Sequence, residues 1–217
     1  MSKTLLQPDS DTRQLILHAA LRSFAERGYV ATSVQRIVSE AKVSKPTLYY
    51  YFRDKAGLFQ ALVDHAHEER YRLMREAAER GGTISEKLEE IVVALFEFSV
   101  RNQELMRLAF ATAFTGSTDT PGHAHCLQKG RRNYEWVRGL MAEAQRSGEI
   151  GVHYDLDTLT MGIYGQLNMY VMVRLLMPEC ALDRQTAARI VDLFLAGAAS
   201  GSGGRGGCSG TRQVAGE

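Results

Sequence analysis

Basic and hydroxyl side chains follow one another between Lys45 and Tyr50. Ammonium and hydroxyl groups hydrogen-bond to phosphate oxygens, and a helix that enters a major groove offers them to base edges as well. A helix over this segment would expose one face made of Lys45, Pro46, Thr47, Tyr49 and Tyr50. The alternative is that the tyrosines are half-buried packing residues and the lysines a solvated surface. The chemistry of the segment alone fits both interpretations equally.

A second cluster, His123, His125 and Cys126, combines nitrogen and sulfur ligands of the kind that zinc, copper or nickel accept. Two further residues of these types, His153 and Cys180, lie far away along the chain. The spacing differs from that of structural metal sites, so we predict no metal or other cofactor. A metal-responsive protein stays as an alternative.

Motifs for enzymatic catalysis are missing from the sequence. It has no Walker loop and no nucleophile elbow, and the stretch nearest to H-E-x-x-H is His65 to Glu68. Gly201, Gly203 and Gly206 match G-x-G-x-x-G, but no strand precedes them and no helix follows, which argues against a dinucleotide site. We therefore predict that the protein is not an enzyme.

Charge is distributed unevenly along the 217 residues. The net charge of the whole chain is +1, whereas residues 1–60 contain nine Lys or Arg against five Asp or Glu. This local excess is typical of a module that binds a polyanion. Three irregularly spaced cysteines and the lack of a signal-peptide pattern or an uninterrupted apolar span predict a cytoplasmic protein without a membrane segment.

Apolar residues recur at helical spacing throughout, so the predicted fold is all-α with about nine helices. Capping boxes are expected at Thr32 with Gln35 and at Thr83 with Glu86. The predicted helices span 11–27, 32–40, 44–51, 54–80, 84–101, 103–114, 121–147, 156–177 and 183–199.

A helix-turn-helix is predicted between Thr32 and Phe52. The chain breaks near Lys42, a second cap follows at Ser44, and Pro46 falls in the first turn of the second helix, where its missing N–H costs nothing. Apolar stripes on the first four predicted helices are expected to close around one small core.

The stretch from Thr12 to about Leu62, roughly a quarter of the chain, resembles the DNA-binding domain of the TetR family of bacterial transcriptional regulators. The residues that fall at the family's spacing are Phe24, Gly28, Thr32, Val34, Ile37, Ala41, Val43, Ser44, Thr47, Leu48, Tyr49, Phe52, Lys55 and Leu58. The resemblance implies a three-helix helix-turn-helix domain at residues 11–60, after a flexible N-terminus at 1–10.

Roles for individual residues follow from the resemblance. Thr32, Tyr49, Tyr50 and Lys55 would bind phosphates, and the segment from Ser44 to Thr47, with Lys45, Pro46 and Thr47, would lie at the bases. Two positions depart from the family pattern. Lys42 stands where glycine is usual in the turn and would adopt a left-handed conformation, and it could add a phosphate contact. Pro46 also replaces a common glycine, and this puts the operator sequence in doubt.

Residues 61–199 are expected to form a ligand-binding and dimerisation domain, followed by a disordered Gly/Ser-rich tail at 200–217. The predicted helix at 156–177 is apolar almost all round and must be covered on two sides. A four-helix bundle between two copies would cover it. The expected dimer interface consists of Gly162, Gly165, Ile190, Val191 and Phe194.

Large aromatic residues of the same domain are candidates for a small-molecule pocket, although most residues of this kind are simply core. The candidates are Phe96, Phe110, Phe114, Tyr134, Trp136 and Tyr164. The resemblance implies a homodimeric regulator, expected to be a repressor that an effector releases from palindromic double-stranded operator DNA. The alternatives are an enzyme with an accessory DNA-binding domain and a constitutive architectural DNA binder.

Overall fold

The structure is a computed structural model that describes residues 8–114 and 123–198, with side chains described for 11–112 and 127–198. These ranges contain nine α-helices and no strand. The helices are α1 (Pro8–Ala31), α2 (Val34–Ala41), α3 (Lys45–Phe52), α4 (Lys55–Ala78), α5 (Ile84–Arg101), α6 (Gln103–Phe114), α7 (His123–Ser147), α8 (Leu156–Leu176) and α9 (Arg184–Ala198). The predicted all-α fold is confirmed, and each predicted helix has its counterpart.

The capping chemistry explains where most of these helices begin. The predicted capping box at Thr83 and Glu86 is present in both directions, and Ser44 caps α3 by accepting a hydrogen bond from the backbone N–H of Thr47. The cap of α2 is Ser33, whose hydroxyl accepts from the N–H of Arg36, so the capping box predicted at Thr32 is wrong.

Gly28 interrupts α1 with φ 77° and ψ 169°, a conformation that only glycine adopts at little cost. The predicted helix end at residue 27 corresponds to this kink, and the last residues of α1 form a separate helical turn that leads into α2. The backbone changes direction at Gly28, which lets α2 fold back against α1.

Helices α1 to α4 enclose the small N-terminal core that the apolar stripes predict. Phe24 and Phe59 meet edge to face with ring centroids 5.2 Å apart, and Leu48 and Ile37 are fully buried beside them. Leu15, also an apolar residue of α1, is instead 55% exposed.

The C-terminal helices form a bundle in which α4 packs on α5 and α7, α5 on α9, and α7 on α8. Helix α4 is continuous over 24 residues, or about 36 Å, and the boundary expected at residue 60 lies inside it. Helix α6 packs on both α1 and α4, which adds a second connection between the N-terminal helices and the bundle. None of the described helices is long and apolar enough to cross a membrane.

Candidate DNA-binding surface

Helix α3 is held by its two apolar residues and its cap. Leu48 is completely buried and Phe52 is 6% exposed, so they fix the rotation of the helix on the core. The Ser44 hydroxyl lies 2.7 Å from the Thr47 hydroxyl and accepts from the Thr47 N–H at 3.2 Å. Pro46 lies in the first turn, as expected. The first turn of α3 is therefore rigid and faces outward.

The face of α3 away from the core carries the predicted contact residues. Lys45 and Pro46 are exposed, Tyr49 is 45% exposed and Tyr50 is 77% exposed, whereas Thr47 is half-buried. Tyr51, the third tyrosine of the run, is half-buried, and its ring packs edge to face on the ring of Tyr50. The exposed row thus combines one ammonium group with two phenol hydroxyls, a set that suits contacts to phosphates and bases.

The side chain of Thr32 is buried, which the sequence did not predict. Its side chain is 1% exposed, and its hydroxyl lies 2.9 Å from the carbonyl oxygen of Ser23 and 2.8 Å from that of Gly28. The hydroxyl has one hydrogen, which these two acceptors share. Its side chain is therefore not available to a phosphate, and this corrects the role expected for Thr32.

Lys55 also points inward. Its Nζ donates hydrogen bonds of 2.9 Å to the carbonyl oxygens of Tyr29 and Thr32 and lies 4.2 Å from the centroid of the Tyr29 ring. Desolvation by burial lowers the pKa of Lys55 from its ordinary value. Lys55 thus ties the start of α4 to the end of α1 through two of its three N–H donors, and a phosphate contact through the third stays a prediction.

The backbone of the turn before α3 has the left-handed conformation that was expected where Lys42 replaces the usual glycine. Lys42 adopts the left-handed conformation, φ 54° and ψ 41°, and its N–H caps the end of α2. Arg53, immediately after α3, is exposed and has φ 62°, and the sequence reasoning did not single it out. The signal that could have identified Arg53 was a basic residue between the end of α3 and Asp54, the N-cap of α4.

The residues expected to line a ligand pocket do not share one space. Phe96 is buried, Tyr134 donates its hydroxyl hydrogen to Asp157 on the outside of the bundle, and the ring of Trp136 packs against Tyr71. The side chain of Phe114 lies outside the described residues. Phe110, half-buried on α6, and Tyr164, half-buried on α8, complete the predicted set.

Within the described bundle, α4, α5, α7 and α8 enclose a small apolar cavity. Its volume is about 10 Å³, and of the predicted pocket residues Tyr164 alone lines it. The sequence analysis missed the other lining residues because they read as ordinary core: Met74, Leu88, Ile91, Val92, Val137, Ile163 and Leu167. A space of this size holds at most one water molecule.

The predicted dimer residues are mostly used inside the protomer. Ile190, Val191 and Phe194 are between 1% and 8% exposed, because this side of α9 packs on α5 and α8. A Cβ added at Gly162 would lie 3.4 Å from the Phe194 ring, so this glycine serves the contact between α8 and α9. Of the expected set, Gly165 is exposed and has open space beside it. The three α9 residues therefore pack inside the protomer, and the interface itself stays a prediction.

The side chains of His123, His125 and Cys126 lie outside the described residues, so the interpretation of this cluster stays a prediction. Within the side chains that are described, no group of three or more His, Cys, Asp or Glu residues is arranged to hold a metal ion.

Comparison with known proteins places the N-terminal helices in a family. Residues 16–62 match the model of the bacterial regulatory proteins, tetR family. The HTH-type transcriptional regulator YhgD of Bacillus subtilis is 25% identical over 194 residues, which cover 85% of this chain and 95% of that protein. The HTH-type transcriptional regulator AcrR of Shigella flexneri is 30% identical over 135 residues, 61% of either chain.

A solved structure extends the likeness over the bundle. The transcriptional regulator FadR from Bacillus subtilis, in complex with stearoyl-CoA, superimposes with a TM-score of 0.71 at 21% identity and covers 85% of this chain and 98% of that chain. The N-terminal match indicates a DNA-binding transcriptional regulator, and the solved structure shows that the bundle shares the fold of one. The resemblance to the TetR family that the sequence indicated is confirmed.

Proposed function

We propose that this protein is a homodimeric repressor that binds a palindromic operator through α3 and leaves it when a small molecule enters the C-terminal bundle. The observation that carries the proposal is the outward row on α3, which a rigid cap and two buried anchors present to solvent. Side chains at the start of a recognition helix read bases, while hydroxyls further along bind phosphates. Lys45 and Pro46 would therefore contact bases, and Tyr49 and Tyr50 would bind phosphates.

Dimerisation through α8 and α9 is supported by a stripe of exposed apolar side chains. Met161 is 66% exposed, Met169 is 53% exposed, and Leu193 on α9 is 69% exposed, with Gly165 between the two methionines. An exposed apolar stripe of this kind marks an interaction surface. A second copy related by a two-fold axis would cover it and form a four-helix bundle.

The groove beside this stripe supports the same partner. It has a volume of about 240 Å³ between α8 and α9, and Gln166 and Gly162 are among its lining residues. The Gln166 Oε1 atom is buried without a hydrogen bond to any described residue. A buried acceptor without a donor costs free energy, which a donor from the second copy would recover.

Effector binding within the apolar core would have to open the bundle, because the cavity of about 10 Å³ there is far smaller than a metabolite. A ligand that binds an expanded conformation shifts the population towards it. Helices α4 and α6 both pack on α1, so a shift of either one would move the DNA-binding helices. The stearoyl-CoA bound by the FadR of Bacillus subtilis makes acyl-CoA esters the first effectors to test.

The decisive experiment is selection of bound sequences from a random duplex pool by the full-length protein. We expect an inverted repeat with half-sites roughly one turn of DNA apart, since a two-fold dimer presents two α3 helices at that spacing. Titration of the enriched duplex with acyl-CoA esters of increasing chain length should then weaken DNA binding. By linkage, DNA should weaken ester binding by the same factor.

Either arm can contradict the proposal. Failure to enrich any sequence, with only salt-sensitive general binding, would favour a constitutive architectural DNA binder. Enrichment of an operator whose affinity no ester or other metabolite changes would remove the sensing function and leave a dimeric regulator.

A further inference from the structure

Two basic residues flank α3, and both have a backbone conformation that favours glycine. Lys42, in the turn before the helix, has φ 54° and ψ 41°, and Arg53, directly after it, has φ 62° and ψ −51°. In the described part of the chain these are the non-glycine residues with positive φ. Glycine would adopt both conformations without the steric conflict that a Cβ brings. The basic side chain at each position therefore carries a conformational cost that glycine would avoid.

Neither side chain has a partner within the described protein that would explain this cost. Lys42 and Arg53 are both exposed, and no hydrogen bond or ion pair joins either side chain to another described residue. The acid nearest to Arg53 in sequence is Asp54. Its carboxylate caps α4 and accepts a 2.7 Å hydrogen bond from the Gly57 N–H. By contrast, Arg36 on the neighbouring α2 pairs with Glu40 at 2.8 Å.

The spacing of the two residues suits the groove that α3 would enter. Helix α3 has eight residues, which corresponds to about 12 Å along its axis. The major groove of B-DNA is also about 12 Å wide between its phosphate rims. A third cation, Arg13 on α1, lies 5.2 Å from the centroid of the Phe52 ring, at the same end of α3 as Arg53. Basic groups thus stand at both ends of the helix.

We propose that Lys42 and Arg53 bind one backbone phosphate each, on opposite rims of the major groove, and thereby hold α3 at a fixed depth and tilt. This inference rests on the proposed function, because it takes α3 as the recognition helix. The two residues contribute affinity for any duplex and carry no preference for base sequence. Each phosphate that a cation neutralises releases counterions and makes binding more sensitive to salt.

Replacement by glycine separates this role from a structural one. In Arg53→Gly and Lys42→Gly the backbone keeps its conformation without strain, so we expect unchanged or higher melting temperatures. Binding to the selected operator and to random duplex should weaken by the same factor. Because each dimer carries two copies of every residue, the slope of log K against log salt should fall in magnitude by about two for each variant and by about four for the double variant.

One control keeps the positive charge at position 53, and the other removes a positive charge far from α3 in sequence. Arg53→Lys should retain the wild-type salt slope, and Arg146→Ala, at an exposed position in the last turn of α7, should leave both affinity and slope unchanged. If both glycine variants kept the wild-type salt slope, the phosphate-binding roles of Lys42 and Arg53 would be wrong, but the proposed function would stand. Loss of operator preference with an unchanged slope would assign these residues to base recognition instead. A wild-type protein without salt-dependent DNA binding would overturn the proposed function and this pair together.

Discussion

At the scale of single residues, the structure separates side chains that are exposed on α3 from side chains that hold the domain together. The resemblance to the TetR family implied phosphate contacts for Thr32 and Lys55, yet each is engaged with backbone carbonyl oxygens at the junction of α1 and α2. Tyr49 and Tyr50, by contrast, are exposed on α3. The same chemical types therefore serve two purposes within one small domain.

Removing the Thr32 hydroxyl tests the first of these assignments. In Thr32→Val the carbonyl oxygens of Ser23 and Gly28 lose their shared donor while the side-chain volume is kept. We expect the free energy of unfolding to fall by about 1–2 kcal/mol, as measured by urea denaturation. The affinity of the folded protein for operator DNA should stay the same. A large loss of affinity at unchanged stability would restore the phosphate role.

His67 predicts a pH dependence of stability. Burial, followed by the positive charge of Arg70, lowers the pKa of His67 from 6.5 to about 4; the carboxylate of Asp64 opposes this shift, and Arg132 and Lys129 add to it. Between pH 6.5 and 4 the unfolded chain binds a proton that the folded protein excludes. The free energy of unfolding therefore falls as the pH drops through this window, by an amount on the order of 3 kcal/mol.

Denaturation curves of wild type and His67→Gln at several pH values would measure this contribution. The difference between the two proteins should be constant above pH 6.5 and change steadily down to about pH 4. Parallel curves over the whole window would show that His67 is protonated as readily in the folded protein as in the unfolded chain.

At the scale of elements, α4 joins the two halves of the molecule. Its first residue, Lys55, contacts the carbonyl oxygens of Tyr29 and Thr32, and its second half packs on α5 and α7 in the bundle. A displacement of α4 therefore acts directly on the end of α1 and the start of α2. This contact is a physical route from the bundle to the DNA-binding helices.

Lys55→Met tests the joint, because it keeps the length of the side chain and removes its charge. We expect a loss of about 1–3 kcal/mol in the free energy of unfolding, typical for hydrogen bonds from a charged group. DNA affinity should also fall, since α2 and α3 lose their fixed position. The salt slope should nevertheless stay at its wild-type value. A slope reduced in magnitude by about two, one contact for each subunit of the dimer, would instead indicate a direct phosphate contact.

At the scale of the whole molecule, the described protomer leaves one apolar stripe uncovered. Met161, Met169 and Leu193 are exposed, whereas the other side of α9 is buried against α5 and α8. An operator-binding protein of this fold needs two α3 helices at a fixed separation. The uncovered stripe provides the surface through which a second copy would set that distance.

Met169→Glu tests the assembly by placing a charge in the proposed interface. We expect a folded monomer by sedimentation velocity, because a buried unpaired carboxylate opposes association. Operator affinity should fall strongly, since each monomer then binds one half-site alone. Leu15→Glu, at a position on α1 that is also 55% exposed, should remain a dimer. Dimers in both variants would contradict the proposed interface.

Local chemistry in the sequence determined the helices and their ends. Ser44, Thr83 and Gly28 act through hydrogen bonds and dihedral angles within a few residues, so the cap of α3, the cap of α5 and the kink of α1 could be predicted without tertiary information. The outward row on α3 was also predictable, because the rotation of a short helix follows from the period of its two buried residues.

Only the tertiary structure decided which neighbour covers each apolar face. The periodicity of α9 marks Ile190 and Val191 as buried, but it does not distinguish burial on α5 from burial on a second copy. The inward direction of Lys55 and the volume of the cavity likewise depend on groups far apart in the chain. Helical periodicity is a property of local segments, whereas the identity of a packing partner is set by how the entire chain folds.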